Sequence, residues 1–124
     1  LYNVHQYAKA GIMIRKSLNP NSAHGLVNIF PSGNTEFGYR TSNGETMKAD
    51  SGPQIDLDDA RLKIKKSRST IEFFVFNSTS WEKIGELDIR KWGKSFYVGI
   101  ATLSHDNSQL TKAQYSEIDL NYYE

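Results

Sequence analysis

The chemistry this sequence offers sits mainly at the ends of strand-like segments. Arg15 closes an alternating segment on the side opposite Ile12 and Ile14, and Tyr39 and Arg40 close another. His105 and Asn107 follow directly on a long apolar run. Aromatic rings stack on the C–H faces of sugars, while Arg, His and Asn make paired hydrogen bonds to vicinal hydroxyls. A shallow site of this composition binds without any catalytic group. The plainer reading is that Arg15 and Arg40 are surface cations paired with Glu36 or Glu117. Residue types alone leave both readings standing.

Other chemistries find less support. His5, His24 and His105 share no spacing suited to a zinc site. The chain has no cysteine, hence no thiol nucleophile and no disulfide. No Gly-x-Ser-x-Gly elbow and no glycine-rich phosphate loop occur. A glycosidase needs two opposed carboxylates. Glu36, Glu72, Glu86 and Glu117 lie in strand-like segments, but no array marks one strand as catalytic, and the chain reads as non-enzymatic. Asp56, Asp58 and Asp59, with Asp50, form an acidic irregular stretch whose hard oxygens suit calcium, although it does not follow the twelve-residue calcium-loop pattern. The alternative is a solvated acidic loop opposite a lysine-rich strand. A structural calcium there is the sole cofactor to consider. Asn77-Ser78-Thr79 has the form of a glycosylation acceptor.

The elements that must position these residues are strands. Val, Ile, Thr, Phe, Tyr and Trp are plentiful, and nine glycines with many Ser and Asn punctuate the chain at short intervals. Strands are predicted at 10–15, 26–30, 35–40, 60–66, 70–77, 81–89, 96–104 and 113–120, with a short one around 46–48 after the Asn43-Gly44 turn. The segment 17–25 reads as loop, 50–59 as acidic and irregular, and Gly85 as the place of a bulge. The run Phe96–Ser104 reads as a central strand. Eight or nine strands without a helix predict an all-β fold of two antiparallel sheets packed face to face.

Bulk properties set the bounds. At 124 residues the chain is one domain, 1–124, with no internal repeat or linker. Fifteen basic against fourteen acidic residues give a net charge of +1, which excludes the strongly basic footprint of a general nucleic-acid binder but not a local patch. No apolar run approaches the ~20 residues of a membrane span, and Leu1–Ala10 lacks the layout of a signal peptide.

Several segments carry a family resemblance. Ala8 to Leu18 (AKAGIMIRKSL) closely resembles the "AKAGIMIR-x-S-L" signature of a domain type in the concanavalin A-like lectin/glucanase superfamily, related to fructan-binding carbohydrate-binding modules. Tyr39-Arg40 falls at its aromatic–Arg strand end, Leu62-Lys63-Ile64 at its "lrl-x-R" strand, and Phe96 to Asn107 at its "yvGlavtSH-x-n" segment. Phe73 to Trp81 resembles its "f-x-x-y-x-S-x-D-G-x-x-W" hairpin, with Asn77-Ser78-Thr79-Ser80 in place of Asp-Gly.

The resemblance implies a jelly-roll β-sandwich serving as a secreted or cell-surface accessory module that binds carbohydrate. Carried over, its contacts are Arg15, Tyr39, Arg40, His105 and Asn107, with Glu36 as a hydroxyl acceptor and Trp81 as a stacking ring or a hairpin anchor on Ile84. Members of the type carry strands ahead of the "AKAGIMIR" segment. Those strands are expected from a preceding segment or a partner chain, because a sheet without them leaves an open edge. The alternative function is therefore a protein-interaction sandwich completed by a partner. The near-neutral charge suits uncharged sugars.

Overall fold

Alternation of apolar and polar side chains along short segments produces strands with one face for a core and one for water. The structure is a computed structural model and describes residues 9–93 and 95–103. In chain order the strands are β1 (Lys9–Arg15), β2 (His24–Ile29), β3 (Thr35–Arg40), β4 (Lys48–Ser51), β5 (Leu62–Lys66), β6 (Thr70–Phe76), β7 (Trp81–Asp88) and β8 (Tyr97–Leu103). A 3-10 turn, Leu57–Asp59, precedes β5. The fold is all-β. One antiparallel sheet has the order β4-β3-β2-β1-β8 and the other β5-β6-β7.

The two sheets face each other across one core. From the larger sheet Ala10, Ile14, Val27, Ile29 and Phe37 are buried, and from the smaller Ile71, Phe73, Val75 and Leu87. Each fully buried Val, Ile or Phe contributes about 1.5–3 kcal/mol of apolar transfer. Close approach of the layers depends on two glycines. A Cβ at Gly25 would stand 2.3 Å from the Phe73 ring, and one at Gly85 would stand 2.2 Å from the Phe37 ring. Gly85 also marks the expected bulge. Phe73 pairs with Gly85 and Phe74 with Lys83, leaving Ile84 as the extra residue.

Several boundaries differ from the sequence reading, each for a physical reason. β2 begins at His24 rather than Leu26, because Gly25 is the residue that admits Phe73 and the His24 ring bonds back to the Ser22 carbonyl. The short strand after Asn43-Gly44 lies at Lys48–Ser51 rather than around 46–48, so Asp50 of the acidic stretch pairs opposite Phe37. In the β6–β7 hairpin the Asn77 carboxamide accepts from the backbone N–H groups of Thr79 and Ser80 while Ser78 takes φ +80°, replacing Asp-Gly. Among the described residues β8 stands at the end of the larger sheet, beside β1. Its Val98 and Ile100, level with the inward Ile14 and Ile12, stand about half exposed (51–52 %), while Tyr97 stands on the outward face beside Arg15. The strand expected at 113–120 lies outside the described residues.

Candidate functional site

The outward face of the larger sheet follows directly from the strand registers. Residues opposite one another share a face, so Tyr97, Arg15, His24 and Arg40 form one transverse row across β8-β1-β2-β3. The next outward row is Gly99, Met13, Leu26, Gly38 and Ala49, and the one after it Ala101, Gly11, Asn28, Glu36 and Ser51. Lys9 begins a fourth. These rows enclose a groove of about 430 Å³ bordered by Lys9, Arg15, His24, Asn28, Arg40 and Met47. Its floor is made by the short or aliphatic side chains of Met13, Leu26 and Ala101.

The cationic row is held rigidly by the loop between β1 and β2. Arg15 donates from Nε to the Ser17 carbonyl (3.0 Å) and from Nη2 to the Asn19 carbonyl, with Nη1 against the Met13 sulfur at 3.5 Å. Arg40 donates from Nε to the Glu45 carbonyl (2.7 Å) and from Nη1 to the carbonyls of Pro20 (3.0 Å) and Ser22 (3.3 Å). Asn43 and Gly44 fasten the same loop, the first accepting from Ala23 N–H and the second donating to the Asn21 carbonyl. Neither arginine has a carboxylate partner among the described residues. Carbonyl oxygens satisfy donors without neutralising charge, so both guanidiniums keep their full positive charge at the groove wall.

His24 lies buried between them. Its Nδ1–H donates to the Ser22 carbonyl at 3.1 Å, since a carbonyl can only accept. Burial lowers its pKa, the Ser22 bond partly restores it, and the charges of Arg15 and Arg40 lower it further. The imidazole is therefore neutral at pH 7. At the other end, Glu36 Oε1 accepts from Lys9 Nζ at 3.5 Å and from Asn28 Nδ2 at 3.4 Å. Glu36 is the one carboxylate on the described strand residues of this face.

Arg15, Glu36 and Arg40 are thus brought to one face, and Glu36 pairs with Lys9 rather than with either arginine. Tyr39 is not brought there. It alternates with Arg40, points toward the other sheet and stacks on Phe37 with ring centroids 4.7 Å apart. Trp81 lies on the outer face of the other sheet, where its ring meets Phe76 edge-on at 5.5 Å under the Lys63 ammonium. It anchors the hairpin on Phe76 rather than on Ile84, and sits apart from the groove. His105 and Asn107 lie outside the described residues. The acidic stretch does not converge on an ion: Asp56 caps the 3-10 turn by accepting from Asp58 N–H, and Asp59 pairs with Arg61 at 2.9 Å. No group of three metal-ligating side chains occurs among the described residues.

Sequence reasoning passed over Lys9, His24, Asn28, Leu26, Met13 and Met47. The signal was present in the period-two run His24-Leu26-Asn28 against Gly25-Val27-Ile29. It was hidden by reading Gly25 as the end of a loop. Comparison of the chain with family models, with curated proteins and with solved structures returned no match.

Proposed function

We propose that the chain is a non-catalytic carbohydrate-binding module, a jelly-roll sandwich of the concanavalin A-like type. In this reading it serves an extracellular or cell-surface carbohydrate-active protein. The observation that carries the reading is the groove on the larger sheet. An aliphatic floor of Met13, Leu26 and Ala101 matches the C–H faces of sugar rings. Around it stand Arg15, Arg40, Asn28 and Glu36, oriented by hydrogen bonds to their neighbours and able to donate to or accept from hydroxyls. Binding needs nothing more. Affinity electrophoresis against immobilised polysaccharides tests it. The chain should be retarded by at least one polymer, Leu26→Trp should abolish the retardation by filling the floor, and Trp81→Ala should retain it. Retardation lost in Trp81→Ala but kept in Leu26→Trp would overturn the assignment.

A second reading, a sandwich completed by a partner chain, is favoured by the half-exposed Tyr97, Val98 and Ile100 of β8. Sedimentation decides it. Self-association broken by Ile100→Glu supports this reading, whereas a folded monomer at high micromolar concentration removes it.

A further inference from the structure

The groove's charge differs from that of the chain that carries it. The whole sequence has a net charge of +1, from fifteen basic and fourteen acidic residues. On the described strand residues of the groove face, three cations (Lys9, Arg15 and Arg40) stand against the single carboxylate of Glu36. On those strand residues the remaining surplus of two positive charges lies at the Arg15–Arg40 end, because Glu36 is engaged with Lys9 at the other; the loop carboxylate of Glu45 accepts from Thr41 Oγ1 and forms no ion pair with either arginine. Two strand spacings separate Arg15 on β1 from Arg40 on β3, about 10 Å, with His24 between them. The bonds that hold these guanidiniums go to uncharged carbonyls, and Arg40 Nη2 donates to no group among the described residues. Two fixed, uncompensated, partly unused guanidiniums beside an aliphatic floor match a ligand that is apolar on a ring face and anionic on a substituent.

Resting on the carbohydrate-binding reading, we infer that the groove selects an acidic polysaccharide, a chain of sugar units bearing carboxylate or sulfate, with the anion against Arg15 and Arg40. This replaces the expectation of uncharged sugars drawn from the whole-chain charge, because the local surplus and not the chain average meets the ligand. Planar guanidiniums pair with carboxylate and sulfate oxygens in a fork that an uncharged hydroxyl cannot fully engage. A nucleic acid is the poorer fit. The floor residues Met13 and Leu26 are aliphatic, whereas single-stranded nucleic-acid sites stack bases on aromatic rings along a more extended basic track.

The test compares three probes by calorimetry and affinity electrophoresis: polygalacturonate, the same polymer fully methyl-esterified, and a sulfated galactan. Binding to either acidic polymer should exceed binding to the ester by at least about ten-fold, and should weaken as salt rises from about 50 to about 200 mM. Which acidic polymer binds identifies the anion. Arg40→Ala also loosens the β1–β2 loop, so a second pair of variants separates charge from folding. A Cβ at Gly38 would meet no atom closer than 3.9 Å, so the site accepts a side chain. Gly38→Glu should bind the acidic polymer at least about ten-fold more weakly than the isosteric Gly38→Gln. Equal binding of acid and ester, or equal binding by the two Gly38 variants, overturns the acidic selectivity while leaving carbohydrate binding intact. Binding to no polysaccharide, neutral or acidic, overturns both.

Discussion

Replacing Gly25 with Ala tests the face-to-face packing on which the groove's geometry rests. The new methyl would lie 2.3 Å from Phe73 Cζ, 3.0 Å from Phe73 Cε1 and 2.8 Å from Leu87 Cδ1. Comfortable carbon–carbon separations begin near 3.5 Å, so the nearest contact falls short by about 1 Å. The Phe73 ring has no accessible surface and lies 4.7 Å from the Phe37 ring, which blocks its retreat. Overpacking of this kind costs about 1–3 kcal/mol, and the absence of an escape route places Gly25→Ala at about 2–3 kcal/mol. Phe73→Leu alone leaves a modest void and costs about 1–2 kcal/mol. Leucine lacks the two ring atoms the methyl would strike, while the Leu87 contact persists. The double variant should therefore be less destabilised than the sum of the singles by about 1–2 kcal/mol. Urea unfolding followed by the fluorescence of the buried Trp92 measures the cycle. Per kcal/mol, the midpoint of a thermal scan should move by about 3–5 °C. Additivity within about 0.5 kcal/mol would refute the packing of β2 on β6 at Gly25.

Three further outcomes follow from individual contacts. His24 has a lowered pKa when folded, so between its folded pKa and its ordinary value near 6.5 the unfolded chain binds the extra proton. Stability should accordingly fall as pH drops below about 6.5 and level off below the folded pKa; His24→Gln should flatten that slope, and an unchanged slope in chemical denaturation at several pH values would contradict the assignment. Ser78 holds φ +80°, so Ser78→Gly should stabilise the chain by up to about 1 kcal/mol in urea unfolding, the relieved strain exceeding the glycine's extra unfolded-state entropy. The Asp88 carboxyl, held at about 2 first by the Arg90 side chain and then by its backbone N–H, should return toward the usual carboxylate range in Arg90→Gln, as read from a carbon-detected NMR titration.

The strands of this protein were largely legible because alternation is strict where one face is buried. Thr70–Phe76 alternates strictly between buried and partly exposed positions, and the bulge announced itself at Gly85. Context hid the rest. Gly25 looks like a turn residue until Phe73 is seen occupying the place of its missing side chain. The run from Phe96 reads as a strand from its apolar content, but that its partner among the described residues is β1 depends on a pairing distant in sequence. Within the site, Arg15 and Arg40 were readable as strand-end cations, but their sharing a face depends on the β1-β2-β3 register that sets His24 between them. Tyr39 shows the limit of reading neighbours as partners, since adjacent strand residues point to opposite faces and its ring joins Phe37.

The central claim is that ligand lies in the groove of the larger sheet, and the chain carries its own reporters for it. It has two methionines and two tryptophans. Met13 and Met47 border the groove, whereas Trp81 lies on the outer face of the other sheet and Trp92 is buried. Titrating methyl-labelled protein with a short oligogalacturonate should shift both methionine methyl resonances along one saturable curve and leave both indole N–H resonances in place. Movement of the Trp81 indole with unmoved methionine methyls would place the ligand on the wrong sheet and contradict the account.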